Sequence, residues 1–356
     1  MPLFPFPPSP AAETPPLVGL AKVAAASPLA GEKQKVQYFR LASRTILNRC
    51  ASGRVPFTWT INPYRGCEFG CQYCYARYTH EYLGMENPAE FEEKIYSKEQ
   101  AGEILRSELA KHPTGDIAIG TATDPYQPAE RLFQVTRSIL ETFRDFRGLR
   151  LSLTTKSDLI RRDLDLLREI GRTNELQVNM TITTLRPELA RRLEPRATRP
   201  DLRLAAAAEV ARAGIAVALF AMPVLPAITD DPRDLEAIAR AAARIGACSF
   251  AANVLFLMPS AQKAFFPFLE KEFPHLVAKY RRLYGHGAYL RGRYAERIEA
   301  VVQSLRQKYG LTGCRREYPA EAFAPIHQLR LFQQEPPGAR SKLPRPAAGE
   351  NFPSRR

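Results

Sequence analysis

The strongest constraint on the fold is a regular alternation of strand-like and helix-like segments between residues 57 and 258. Six β-prone runs stand at 57–62, 116–120, 149–155, 176–184, 215–222 and 247–257. Between them, apolar residues recur at helical spacing over 97–112, 136–146, 161–170, 202–213 and 235–245, with Gly214 and Gly246 closing the last two. Residues 75–83 also read as a helix or helical turn. Strands that alternate with helices pair in parallel, because each crossover returns the chain to the same sheet edge. Six such units do not close an eight-stranded barrel. The predicted fold is therefore α/β: a partial (β/α)6 open barrel with parallel strands, its mouth at the carboxyl ends of the strands.

The flanks read differently. Residues 1–34 are rich in Pro, Ala and Ser and are expected to be a disordered leader, with the barrel over 35–258. A helical C-terminal extension is expected over 259–335. It holds amphipathic stretches at 264–284 and 289–309, the second broken near Gly292, which would cap the open side. Residues 336–356 read as a disordered tail. No apolar run reaches membrane-spanning length, and the first residues lack the basic start and apolar core of a signal peptide, so a cytoplasmic protein is expected. The formal charge is +14, of which residues 1–46 supply +3 and residues 330–356 supply +4. The remainder, spread over an Arg-rich core, fits either a nucleic-acid partner or a solvated basic surface.

Chemistry concentrates in one loop. Cys67, Cys71 and Cys74 follow the first predicted strand in a Cys-x3-Cys-x2-Cys spacing, with Gly66 and Gly70 free to take the angles of tight wrapping. Three thiolates on a cubic iron–sulfur cluster leave one iron open to a substrate or cofactor. Structural zinc needs four closed ligands, and Cys50, Cys248 and Cys314 stand singly, so His80 is the remaining fourth candidate for a zinc-binding module. Three clustered cysteines among six argue for metal or redox use rather than a disulfide scaffold. Lys156 ends the third strand, where a cation faces the mouth and can neutralise a carboxylate.

The string Asn62-Pro63-Tyr64-Arg65-Gly66-Cys67, with Cys71-Gln72-Tyr73-Cys74-Tyr75-Ala76-Arg77 after it, resembles the cluster loop of radical SAM (S-adenosylmethionine) enzymes. Within them it resembles the spore photoproduct lyase-related branch, over about residues 36–300. The resemblance implies a [4Fe-4S] cluster on Cys67, Cys71 and Cys74, with SAM chelating the fourth iron. One electron, from a reductant of the flavodoxin or ferredoxin type, then cleaves SAM to methionine and a 5′-deoxyadenosyl radical. It implies SAM contacts at Tyr73 and Ala221-Met222 (adenine), Lys156 (carboxylate) and Thr181 (a hydroxyl). Thr121, Thr123 and Asp124 stand where the wider superfamily binds the methionine amino group. Glu194 and Arg196 would serve the ribose or carboxylate, or pair with each other. The chain departs from the photoproduct lyases proper. Those return hydrogen to the product radical from a cysteine downstream of the cluster, and here none lies between Cys74 and Cys248. The hydroxyls of Thr121 and Thr123 hold hydrogen too strongly to replace it. The substrate, and the lyase or transferase type, are left open, with nucleic-acid repair or modification as one alternative.

Overall fold

The structure is a computed structural model that describes residues 17–50, 55–111, 115–314 and 324–325. Six parallel strands run in chain order across one sheet: β1 (Trp59–Ile61), β2 (Ile117–Ile119), β3 (Arg150–Thr155), β4 (Glu175–Thr181), β5 (Ala216–Val224) and β6 (Ser249–Val254). Each pairs with its predecessor and none closes the ring. This is the expected open barrel. Its β1 edge carries one antiparallel addition, Asn48–Arg49.

Alternation along each strand separates two faces. Leu151 and Leu153 of β3, Val178 and Met180 of β4, and Val217, Leu219 and Ala221 of β5 face the outer helices and build the main core. The opposite face is polar: Ser152 and Thr154 on β3 lie beside Gln177 and Asn179 on β4, with Lys156 just past the end of β3 and Thr181 at the end of β4. Asn179 Nδ2 donates to Thr154 Oγ1 at 3.1 Å and Gln177 Nε2 to Asn179 Oδ1 at 2.6 Å, so these buried amides are paired rather than orphaned.

Several elements differ from expectation. Residues 97–98 are not helical, because Lys94–Lys98 is a strand of a second, four-stranded sheet with Leu29–Lys33, Val36–Leu41 and Tyr64–Arg65. Its period-2 pattern is hidden in the sequence because Ile95, Tyr96, Ser97 and Lys98 are all buried. The helix that follows is Ala101–Leu109. Leu29–Lys33 and the helix Gly19–Ala25 also shorten the expected leader, whose residues 1–16 lie outside the described chain, as does the tail 336–356. The 264–284 stretch is two helices, Pro259–Glu272 and Val277–Tyr284, interrupted at Phe273-Pro274. Arg293–Tyr309 does not cap the open side: Ile298, Val302 and Leu305 pack into the main core, so it takes the place of the sixth outer helix. Cys248, at the start of β6, is disulfide-bonded to Cys314, 66 residues on. A separation that long leaves no trace in local sequence. Among the described residues no helix is long and apolar enough to cross a membrane.

Candidate functional site

The cysteine loop leaves the carboxyl end of β1 and is fastened there by backbone and buried polar groups. Gly120 N donates to Ile61 O at 2.9 Å, and Ala122 N donates to Asn62 Oδ1 at 2.7 Å. Gly66 has φ +79, and a Cβ there would meet Lys94 O at 2.7 Å and Phe91 O at 2.8 Å. Gly66→Ala is therefore expected to destabilise the fold by more than about 2 kcal/mol, from left-handed strain plus the clash, measurable by denaturant titration.

Glu68 sits inside the Cys-x3-Cys spacing, and its buried carboxylate accepts from Tyr38 Oη at 3.0 Å and from Ala129 N at 2.7 Å. Burial pushes its pKa up, against these hydrogen bonds. Gln127 Oε1 accepts from Glu68 N at 2.9 Å, while Gln127 Nε2 and Thr123 Oγ1 both donate to Gly66 O, at 3.1 and 2.6 Å. Arg77 donates to Cys71 O at 3.1 Å and pairs with Glu92 at 3.3 Å. His80 sits under this layer, its Nε2 3.0 Å from Lys94 O and its ring edge-on to Phe91. Burial holds His80 down at about 4, so it is a neutral prop for the loop at physiological pH.

A second hydrophobic cluster seals the loop. Phe69, Cys71 and Tyr73 pack with Leu193, Leu257 and Phe265, the last from helix Pro259–Glu272. The C-terminal helices thus roof the cysteines. All three thiols are pushed up by burial, Cys71 to about 12. Without a metal they are neutral; a bound metal supplies the charge that makes them thiolates. Among the described residues, no three His, Cys, Asp or Glu side chains gather where one ion would sit, so the loop is no preformed single-ion cage.

The other candidates divide into two groups. Lys156 reaches over the Tyr73 ring, its Nζ 5.9 Å from the centroid. Its ammonium makes no hydrogen bond or ion pair within 4 Å among the described residues. Burial opposes its charge, but the acidic groups around it, Glu194 and Asp124 among them, outweigh that and raise its pKa. Thr181 ends β4 on the same polar face, beside Phe220 of β5. Lys156 and Thr181 thus stand together at the mouth.

The rest make hydrogen bonds or packing contacts within the protein, or line the barrel beside them. Asp124 accepts from Thr155 Oγ1 and Lys156 N, each at 2.7 Å, and from Tyr126 N at 2.9 Å, which fastens the end of β2 to β3. Thr123 holds Gly66 O, and Thr121 bonds Asn62. Ala221 points into the helix-side core, and Phe220 and Met222 occupy the lumen side of β5. Tyr73 Oη donates to Glu194 and lies 3.0 Å from Thr183 Oγ1. Glu194 and Arg196 do not pair with each other. Glu194 pairs with Arg203 at 2.6 Å, both 1% exposed, and Arg196 lies 3.5 Å from Glu92. Arg203 also donates to Thr181 O at 3.1 Å, so this ion pair ties the cysteine loop, through Tyr73, to the end of β4. Sequence reading passed over Glu68, Gln127, Thr183 and Arg203. Only Glu68, lying between two of the cysteines, gave a local signal.

The family model of the radical SAM superfamily matches residues 61–241, just over half the chain. The chain belongs to the radical SAM superfamily. Membership implies an enzyme with a [4Fe-4S] cluster and SAM. The three-thiol loop, with its glycine turns and apolar seal, suits such a cluster. The uncharacterized protein Rv2578c of Mycobacterium tuberculosis is 34% identical over 304 residues, 83% of this chain and 88% of that one. The uncharacterized protein MJ0683 of Methanocaldococcus jannaschii is 31% identical over 48% of this chain and 62% of its own. Among solved structures, a spore photoproduct lyase complexed with dinucleoside spore photoproduct superposes with a TM-score of 0.56 at 17% identity, covering 79% of this chain and 84% of that one. A mutant lyase with bound AdoMet gives 0.57 at 17% identity, with the same coverage. At that identity the likeness carries the fold alone.

Proposed function

We propose that this chain is a radical SAM enzyme that holds one [4Fe-4S] cluster on Cys67, Cys71 and Cys74 and reductively cleaves SAM. The observation that carries the reading is the sealed three-cysteine loop at the end of β1, with the Lys156 ammonium, unpartnered among the described residues, leaning over Tyr73 beside it. When bound and reduced by a one-electron donor of the flavodoxin or ferredoxin type, the cluster supplies the electron that splits SAM into methionine and a 5′-deoxyadenosyl radical.

The chain's own residues hold and shield. Gly66 and Gly70 let the loop wrap, and Glu68 and Gln127 keep it wrapped. Phe265 and its neighbours exclude water, which lowers the local dielectric and strengthens each polar contact inside. Lys156 offers a carboxylate its charge without first breaking a protein ion pair, and Thr181 offers a hydroxyl beside it. Asp124 serves as the staple that aims Lys156, through the Lys156 amide.

The test separates cluster from cofactor binding. Anaerobic reconstitution is expected to load about four irons per chain, by cluster stoichiometry. Lys156→Gln should keep the iron yet weaken SAM binding about tenfold or more, the order of one charge-assisted hydrogen bond. Zinc alone in protein purified without oxygen would sink the reading in favour of a non-catalytic metal-binding module. The substrate is a separate matter: Cys248 and Cys314 are joined at the amino end of β6, away from the mouth, and Thr121 and Thr123 are bonded to the loop and its base. No hydrogen-donating thiol of the photoproduct-lyase kind is therefore assigned.

A further inference from the structure

Two cations stand side by side, without partners among the described residues, at the rim where β1 ends. Arg65 lies opposite Tyr96 in the antiparallel pairing of Tyr64–Arg65 with Lys94–Lys98. Lys98, two residues beyond Tyr96, projects from the same sheet face, making it a diagonal neighbour of Arg65. Its amide donates to Pro63 O at 3.3 Å, one residue past Asn62 at the end of β1. Lys98 is only 7% exposed. Among the described residues, neither its ammonium nor the Arg65 guanidinium makes a hydrogen bond or an ion pair, and Arg65 Nε is sealed from solvent with no acceptor.

Buried cations are almost always paired, because desolvation is costly and a like neighbour adds to the cost. Burial and then Arg65 pull the Lys98 pKa down to about 7, against Glu108, the one carboxylate acting on it. Glu108 is already engaged, accepting from Ile46 N at 3.1 Å and Leu47 N at 2.8 Å. Among the described residues the buried Lys98 and the half-buried Arg65 beside it have no counter-ion, an arrangement suited to receive one.

We infer that Arg65 and Lys98 form a binding site for a phosphate group of the substrate, at the rim of the barrel beside the cysteine loop. Arg supplies a planar fork and Lys a point charge, and a dianionic phosphate matches the two charges where a carboxylate matches one. This names a substrate handle that the proposed SAM chemistry leaves open, but its test reads binding alone and so stands or falls apart from SAM cleavage.

The test is thermal unfolding of the reconstituted full-length protein, with inorganic phosphate against chloride at constant ionic strength. Phosphate at about 50 mM is expected to raise the wild-type Tm by several degrees, as mass action requires of a ligand bound only by the folded state. Lys98→Met is expected to raise the Tm in chloride, because an unpaired buried cation is gone, and to lose the phosphate response. Arg65→Gln should lose that response too. A wild-type Tm indifferent to phosphate, an equal response in both variants, or a drop in Tm for Lys98→Met in chloride would overturn the site. Acetate acting as strongly as phosphate would overturn the assignment to phosphate.

Discussion

Cys71→Ala is expected to abolish cluster binding while leaving the protein folded. Iron should drop from about four per chain to below one, since two remaining thiolates do not hold a cubic cluster. 5′-Deoxyadenosine formation should fall below detection with it. The metal-free variant, by contrast, should lie within about 2 kcal/mol of metal-free wild type, the cost of deleting one small buried group. The reason is electrostatic. Burial keeps Cys67, Cys71 and Cys74 protonated in the absence of metal, so they behave as small hydrophobes in the seal around Phe69 and Phe265. Their value to the protein appears only when a metal replaces those protons. Iron analysis and near-ultraviolet circular dichroism on the same sample check both halves. A Cys71→Ala protein that retains a full complement of iron would remove the cysteine from the ligand set.

Arg203→Met should be among the most damaging single substitutions. It strips the partner from Glu194 and the donors from Thr181 O and Thr198 O, all in the interior. Breaking one side of a buried ion pair costs about 3–5 kcal/mol, because the surviving charge is left desolvated. The pH dependence follows from the sign of the Glu194 shift. Burial pushes this carboxyl up, but Arg203 and then Lys156 overcome that and hold it below its ordinary value of 4.5. A depressed folded pKa contributes stability that is fully present above the unfolded value and is lost as pH falls through the folded one. With Arg203 gone, burial dominates and the group takes up a proton closer to neutrality. The deficit of the variant should therefore be widest near pH 7 and narrow toward pH 4 in denaturant titrations. Tyr73 hydrogen-bonds the same carboxylate, so the variant should also load iron less completely. A constant deficit from pH 7 to pH 4 would mean that Glu194 is not the charge left behind.

The barrel was legible because its strands face an outer helix layer and announce themselves as β-prone runs with apolar residues at alternate positions. Strand ends moved by at most three residues, as they do wherever pairing rather than propensity decides where a strand stops. The second sheet was not legible. Leu29–Lys33 is Gly-containing and mostly exposed, so it looks like linker, and Lys94–Lys98 is buried on both faces, so it carries no alternation. The position of the cysteine loop after a strand, and of Lys156 at a strand end, was legible from the sequence. Other residues around that loop could not be read off. Asp124 and Thr123 read as cofactor ligands in sequence, which gave no hint of the hydrogen bonds they make to Lys156 N, Thr155 and Gly66. Glu194 has Arg196 two residues away but chooses Arg203, because helix Pro200–Arg212 turns that guanidinium inward while Arg196 lies toward Glu92. Partner choice over such distances belongs to the fold. The same holds for Cys248 and Cys314, single in sequence and joined in space.

The most direct measurement is product analysis of the anaerobically reconstituted protein incubated with SAM and a one-electron reductant. 5′-Deoxyadenosine and methionine should appear together in equal amounts, only when the reductant is present, and not in the Cys71→Ala variant. Iron-loaded, fully reduced wild-type protein that binds SAM yet never releases 5′-deoxyadenosine, with or without phosphorylated candidate substrates, would contradict the assignment.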